Sequence, residues 1–197
     1  MTEPDSRAES AASGIGANGV VLRPGPIWLI SGVPGSGKST TARALCLRYP
    51  KALHVPVDDL RAFVVSGAAS PLTEWTAETT RQFALSRKAA STLAADYSDA
   101  GFAVVIDDVV READMDQFLP YLRGRPPRKI VLVPRLEVAL ARNRNRTNKS
   151  FDPAILESHT RRLYPMLLDG CRPEDGWLVV DTTASDPSAA ASALLRG

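Results

Sequence analysis

Short apolar runs and longer stretches of helical period alternate along the chain. Ile27-Trp28-Leu29-Ile30 is the first such run, and a helical pattern from Lys38 to about Tyr49 follows it. Ala52 to Val57 reads as a second strand, after which Asp58-Asp59 opens another helix. A long helical pattern covers roughly 73–97, with Pro71 just before it and Gly101 just after it, as helix boundaries favour. Phe102-Ala103-Val104-Val105-Ile106 is continuous and β-branched in character, as in a strand covered on both faces. Further helix is expected near 111–123, then strand 129–133, helices near 135–146 and 152–168, strand 177–181 and a closing helix from Pro187. Strands alternating with helices predict an α/β fold whose parallel sheet is joined by right-handed crossovers. Residues 1–22, rich in Ala, Ser, Gly and acids with no apolar period, are expected to form a flexible leader, leaving 23–197 as one domain.

Composition narrows the class. A chain of 197 residues, 44% hydrophobic, is long enough to bury a sizeable core and too apolar for wholesale disorder. Its longest apolar runs fall far short of the roughly 20 residues of a membrane helix, so no membrane partner is expected. Met1-Thr2-Glu3-Pro4-Asp5 offers neither a basic nor an apolar signal region. Two cysteines make no disulfide framework, and a reducing, cytoplasmic setting is expected. The net charge of +2 says little, but eleven Lys or Arg stand against three Asp or Glu between Tyr121 and Pro165. Such a basic third suits either a phosphate site or a solvated helix.

Gly32-Val33-Pro34-Gly35-Ser36-Gly37-Lys38-Ser39, followed by Thr40, fits G-x-x-x-x-G-K-[ST] and lies between an expected strand and an expected helix, the context the motif requires. Gly32, Gly35 and Gly37 let the backbone curl so that N–H groups converge on phosphate oxygens, and the helix N-terminus favours the same anion. Lys38 is expected at the β- and γ-phosphates of a nucleotide, with the Ser39 hydroxyl on Mg²⁺.

The strand ending near 106 delivers Asp107 and Asp108 beside that loop, where a carboxylate holds the metal or meets an acceptor. Asp107 is favoured for that task and Asp108 as its helper. Asp58 follows the second strand and has two readings, a base for an acceptor hydroxyl or a helix cap. Arg61, one turn on, suits an anion on the acceptor. In Ala141-Arg142-Asn143-Arg144-Asn145-Arg146, the first and last arginines share a helix face. That face suits charge on a transferring phosphoryl group, with RNA or surface contact as the other reading. No N-K-x-D segment is present, which argues against a GTPase. His54 and His159 lack Cys/His ligand spacing and are assigned no metal. Trp28 and Trp177 are expected in the core, and Trp75 either in the core or stacked on an acceptor ring.

These motifs, together with Phe151-Asp-Pro-Ala-Ile-Leu156, resemble the small P-loop kinases in order and spacing from about Pro26 to Pro165, most closely the kinase domain of polynucleotide 5′-hydroxyl kinases. The resemblance implies a P-loop kinase fold: three α-β-α layers, a five-stranded parallel core and a helical arginine lid over about 135–152. It implies ATP as donor and Mg²⁺ as cofactor. It makes Asp58 the general base, Arg61 an acceptor ligand, Asp107 an acceptor or metal contact, and Arg142 and Arg146 lid arginines, with Asp181-Thr182-Thr183 near the adenine. The expected activity is transfer of the γ-phosphate of ATP to a hydroxyl, on a small molecule or a polynucleotide 5′ end. A non-catalytic ATP-binding regulator is the alternative. Oligomeric state is not encoded in any motif.

Overall fold

In the computed structural model, which describes residues 23–72, 74–145, 153–184 and 186–195, five parallel strands form one sheet in the order β2-β3-β1-β4-β5. The strands are β1 (Ile27–Gly32), β2 (Ala52–Pro56), β3 (Ala103–Asp107), β4 (Arg128–Leu132) and β5 (Trp177–Val180). All residues of β1 and β3 are buried, as their unbroken apolar runs require, whereas the edge strand β5 exposes Leu178 and Val179.

The pleat sorts β1 between two cores. Ile27 and Leu29 face the layer built by Ala90 and Ala94 of α3 (Ala77–Asp99), Leu167 of α5 (Pro153–Gly170) and Phe118. Trp28 and Ile30 face the opposite layer, where Leu45 of α1 (Lys38–Cys46) meets Leu194 of the C-terminal helix over Pro187–Leu194. Two shorter helices, α2 (Val57–Ala62) and α4 (Leu136–Arg144), ride at the C-terminal end of the strands. The result is the expected three-layer α-β-α architecture. No helix among the described residues is long and apolar enough to cross a membrane.

Two elements differ from expectation. The long helix begins at Ala77, not near 73, because Thr76 and Thr79 exchange side-chain and backbone bonds, each N–H donating to the other's hydroxyl at 3.2 Å. The helix expected near 111–123 is instead two 3₁₀ segments, Glu112–Gln117 and Leu119–Tyr121. Pro120 has no N–H for an α-helical bond, and the N–H groups of Asp114, Phe118 and Tyr121 reach carbonyls three residues back. The leader 1–22 and the distal part of the lid, 146–152, lie outside the described residues.

Candidate active site

The loop between β1 and α1 is a tight cradle. Gly32, Gly35 and Gly37 all have positive φ, and Gly37 caps α1 in the left-handed conformation. The first N–H groups of α1 have no helical acceptor, which suits them to an anion at this end. Lys38 Nζ donates to the carbonyls of Gly32 (2.8 Å) and Val33 (3.2 Å), holding its ammonium against the loop. Ser36 Oγ is buried without a hydrogen-bond partner, an unmet polar atom inside the cradle. Thr40 follows on the exposed side of α1.

Register brings the strand-end acids to this loop. Asp107 pairs with Ile30 of β1 on one side and with Pro56 of β2 on the other. Its Oδ1 accepts from Ser39 Oγ at 3.4 Å, and its Oδ2 meets His54 Nε2 of β2. His54 thus orients a carboxylate at the mouth of the cradle, a role its position inside a strand did not suggest.

Asp108 points elsewhere. Its Oδ2 accepts from Arg87 Nε at 2.8 Å and its Oδ1 from the Val109 N–H at 2.7 Å. Burial pushes its carboxyl upward from the ordinary range and the nearby Asp58 adds to this, while Arg87 pulls the other way. Where an acceptor contact was expected of Asp108, the carboxylate is engaged by Arg87, tying α3 to the end of β3. Arg87 itself, 5% exposed, also bonds Gln117 and the Val109 carbonyl. Sequence reasoning assigned it nothing.

Asp58 sits in the first turn of α2, whose N-cap is Pro56, so it does not serve as the cap. Its Oδ1 accepts from Arg61 Nη1 at 3.1 Å, and half of its side chain is exposed. The Arg61 guanidinium lies 3.8 Å over the ring of Phe83, a cation–π contact that fixes the pair.

The lid helix α4 is seated on the cradle. Asn143 Nδ2 donates to the Pro34 carbonyl (3.0 Å) and to Thr160 Oγ1 of α5 (3.3 Å). A Cβ on Gly35 would come within 2.3 Å of the Ala139 carbonyl, so only glycine permits this approach. Gly35→Ala is expected to cost about 1–3 kcal/mol of stability and to weaken nucleotide binding about tenfold, checked by thermal unfolding and nucleotide titration. Arg142, expected to meet a phosphoryl group, bonds the chain's own backbone. Its Nη2 donates to the carbonyl of Thr182 at 2.9 Å, in the loop whose Thr182 hydroxyl donates to the Ser36 carbonyl at 3.0 Å. The guanidinium therefore faces the 181–183 loop. Arg144 pairs with Glu157 of α5 at 3.1 Å, and Arg146 lies outside the described residues.

Beside the strand-end acids a cleft of about 400 Å³ opens between α3 and α5. Trp75 and Phe83 line it with ring centroids 4.9 Å apart, and Trp75 Nε1 donates to Thr80 Oγ1 at 2.8 Å. Trp75 is thus half-exposed at a cleft wall, not in the core.

Among the described residues no group of three or more His, Cys, Asp or Glu is placed to hold a metal. Mg²⁺ bound with a nucleotide takes most of its ligands from phosphates and water, so it does not require such a group.

A family model described as an AAA domain matches residues 27–166. No curated protein matches the chain. Among solved structures, a sugar kinase from Janibacter sp. HTCC2649 is 18% identical with a TM-score of 0.61, covering 88% of this chain and 94% of that one. Thymidylate kinase from Candida albicans is 15% identical with a TM-score of 0.61, covering 88% and 90%. Shikimate kinase from Acinetobacter baumannii, in complex with shikimate, is 17% identical with a TM-score of 0.57, covering 88% and 93%. At these identities the likeness establishes a shared fold, that of P-loop kinases.

Proposed function

Because the chain belongs to the AAA domain family AAA_33, we propose that it moves the γ-phosphate of ATP onto a hydroxyl of a small molecule. The observation that carries this reading is the 3.4 Å approach of Ser39 Oγ to Asp107 Oδ1 at the mouth of the cradle. A hydroxyl and a carboxylate in that relation are what a Mg²⁺–triphosphate requires of a protein. The 400 Å³ cleft, which Val109 lines just beyond the end of β3, falls in the range of small-ligand pockets, which favours a small acceptor over a polynucleotide 5′ end.

The loop 32–40 binds the triphosphate through its N–H groups, and Lys38 neutralises charge on the terminal phosphates. Ser39 and Asp107 would hold Mg²⁺, which would supply further charge neutralisation on the phosphate oxygens. His54 keeps the Asp107 carboxylate turned toward Ser39. Asp58, held by Arg61, orients the acceptor hydroxyl and takes its proton. Arg142, tied to the 181–183 loop, steadies the wall against which the base of the nucleotide rests.

The reading is tested with γ-labelled ATP and a mixed set of hydroxyl metabolites and 5′-hydroxyl oligonucleotides. The expected result is label on a small molecule with one ADP formed per transfer. Tight ATP binding with neither label transferred nor ADP released would instead identify a regulator.

A further inference from the structure

The cleft between α3 and α5 has two unlike walls. Trp75, Phe83, Leu163 and Met166 line it with rings and aliphatic groups, while Arg87, Arg111 and Arg162 also reach it. Two of these guanidiniums are already neutralised. Arg87 pairs with Asp108 at 2.8 Å and with Asp114 at 3.4 Å, and Arg111 Nε lies 3.3 Å from Asp114 Oδ2.

Arg162 differs. Among the described residues no carboxylate lies within ion-pair reach of it, and its hydrogen bond runs from Nη2 to His159 Nδ1 at 3.2 Å. A guanidinium only donates, so Nδ1 accepts and the neutral imidazole carries its proton on Nε2. Burial, reinforced by the Arg162 charge, holds the His159 pKa below its ordinary value, which keeps the ring neutral. Among the described residues the cleft therefore presents one uncompensated guanidinium and one ring N–H donor on α5, opposite an aromatic wall formed by Phe83 of α3 and Trp75 just before that helix. At its inner end Val109 follows the strand-end acids directly, and Phe83 carries Arg61 and thereby Asp58 behind it.

We infer that the acceptor is a small ring compound bearing, besides its hydroxyl, a carboxylate or phosphate that Arg162 and His159 bind while the ring lies on Trp75 and Phe83. This rests on the phosphotransfer reading and deepens it. A forked guanidinium matches either anion with paired hydrogen bonds, and the aromatic wall favours a flat apolar body. With the anion held at α5, the inference requires the hydroxyl end of the ligand to extend past Phe83 to Asp58, which Arg61 holds on the other side of that ring. There the hydroxyl oxygen bonds to the γ-phosphorus of ATP as the bond from that phosphorus to the bridging oxygen breaks. The electron pair leaves on ADP, and the hydroxyl proton passes to Asp58.

The test uses the full chain and charge-matched probes: 1,4-benzenedimethanol against 4-(hydroxymethyl)benzoate and 4-(hydroxymethyl)phenyl phosphate, glucose against glucuronate, and uridine against uridine 5′-monophosphate. Affinity is read by calorimetry and transfer by label from ATP. At least one acid is expected to bind about tenfold or more tightly than its neutral partner. That advantage should vanish in Arg162→Gln and largely persist in Arg162→Lys, and the relative strength of the carboxylate and phosphate arms identifies the anion. Arg162 is exposed, so both variants should unfold at the wild-type temperature. Equal affinity for acids and neutral partners, no binding by any probe, or an acid preference that survives Arg162→Gln overturns the inference. Preferred labelling of a 5′-hydroxyl oligonucleotide overturns it as well. Label on neutral probes at equal kcat/KM would remove the inference and leave the phosphotransfer reading standing. An Arg162-dependent acid preference without any labelled product would overturn the phosphotransfer reading and the acceptor role together, leaving only an anion-binding cleft.

Discussion

Lys38→Ala is expected to lower phosphoryl transfer by about 10³-fold, the largest loss of any single substitution in this chain. The ammonium lies within 2.8 Å of the Gly32 carbonyl and 3.2 Å of the Val33 carbonyl, so its place is set by the loop before any phosphate arrives. Such preorganisation matters most when charge spreads over the transferring group, because no reorganisation is then required of the protein. The loss should therefore appear mainly in kcat, with ATP affinity falling by about tenfold. Lys38→Arg should not restore transfer, since a planar fork cannot occupy the position of a compact point charge within the curl of the loop. Circular dichroism should be unchanged in both variants. Transfer within tenfold of wild type would show that the lysine is not at the phosphates.

Asp58→Asn is expected to reduce transfer by roughly 10²–10⁴-fold with ATP affinity unchanged. The amide retains an oxygen for the 3.1 Å bond from Arg61, and so preserves the contact of Arg61 with Phe83, but it cannot accept the acceptor's proton. A merely structural Asp58 would lose stability on substitution, whereas a base loses rate, so thermal unfolding and kcat measured together separate the two. The half-exposed side chain predicts little change in unfolding temperature. A variant retaining transfer within about threefold would take the base role away from this carboxylate.

Strand positions were the most legible part of the chain. All five apolar runs lie within two residues of an observed strand, most plainly β1 and β3, which are buried throughout and have no polar interruption before their ends. Their order was not legible. Leu178 and Val179 of the edge strand are as apolar as the residues of β3, and nothing in such a run says how many neighbours it will have. The phosphate loop was readable because its function and its conformation demand the same glycines.

What escaped depends on distance along the chain. His54 meets Asp107 from 53 residues away, and Arg87 meets Asp108 across 21. Local pattern recorded only a histidine in a strand and an arginine on a helix. Helical spacing put Arg142 and Arg146 on one face but could not say what Arg142 would meet, since the 181–183 loop arrives about 40 residues later. Asn143, hidden among arginines, was passed over for the same reason, although its amide joins the cradle to α4 and α5.

The central place of β1 has a consequence for biosynthesis. The strand ends at Gly32, yet its two neighbours begin only at Ala103 and Arg128. At bacterial or eukaryotic elongation speeds the nascent segment stays without sheet partners for on the order of seconds. An apolar segment that emerges early and pairs late is exposed to aggregation over that interval. Since the stretch that grips Gly35 from above arrives later still, the nucleotide cannot template the first steps of folding. It rewards only a nearly finished polypeptide.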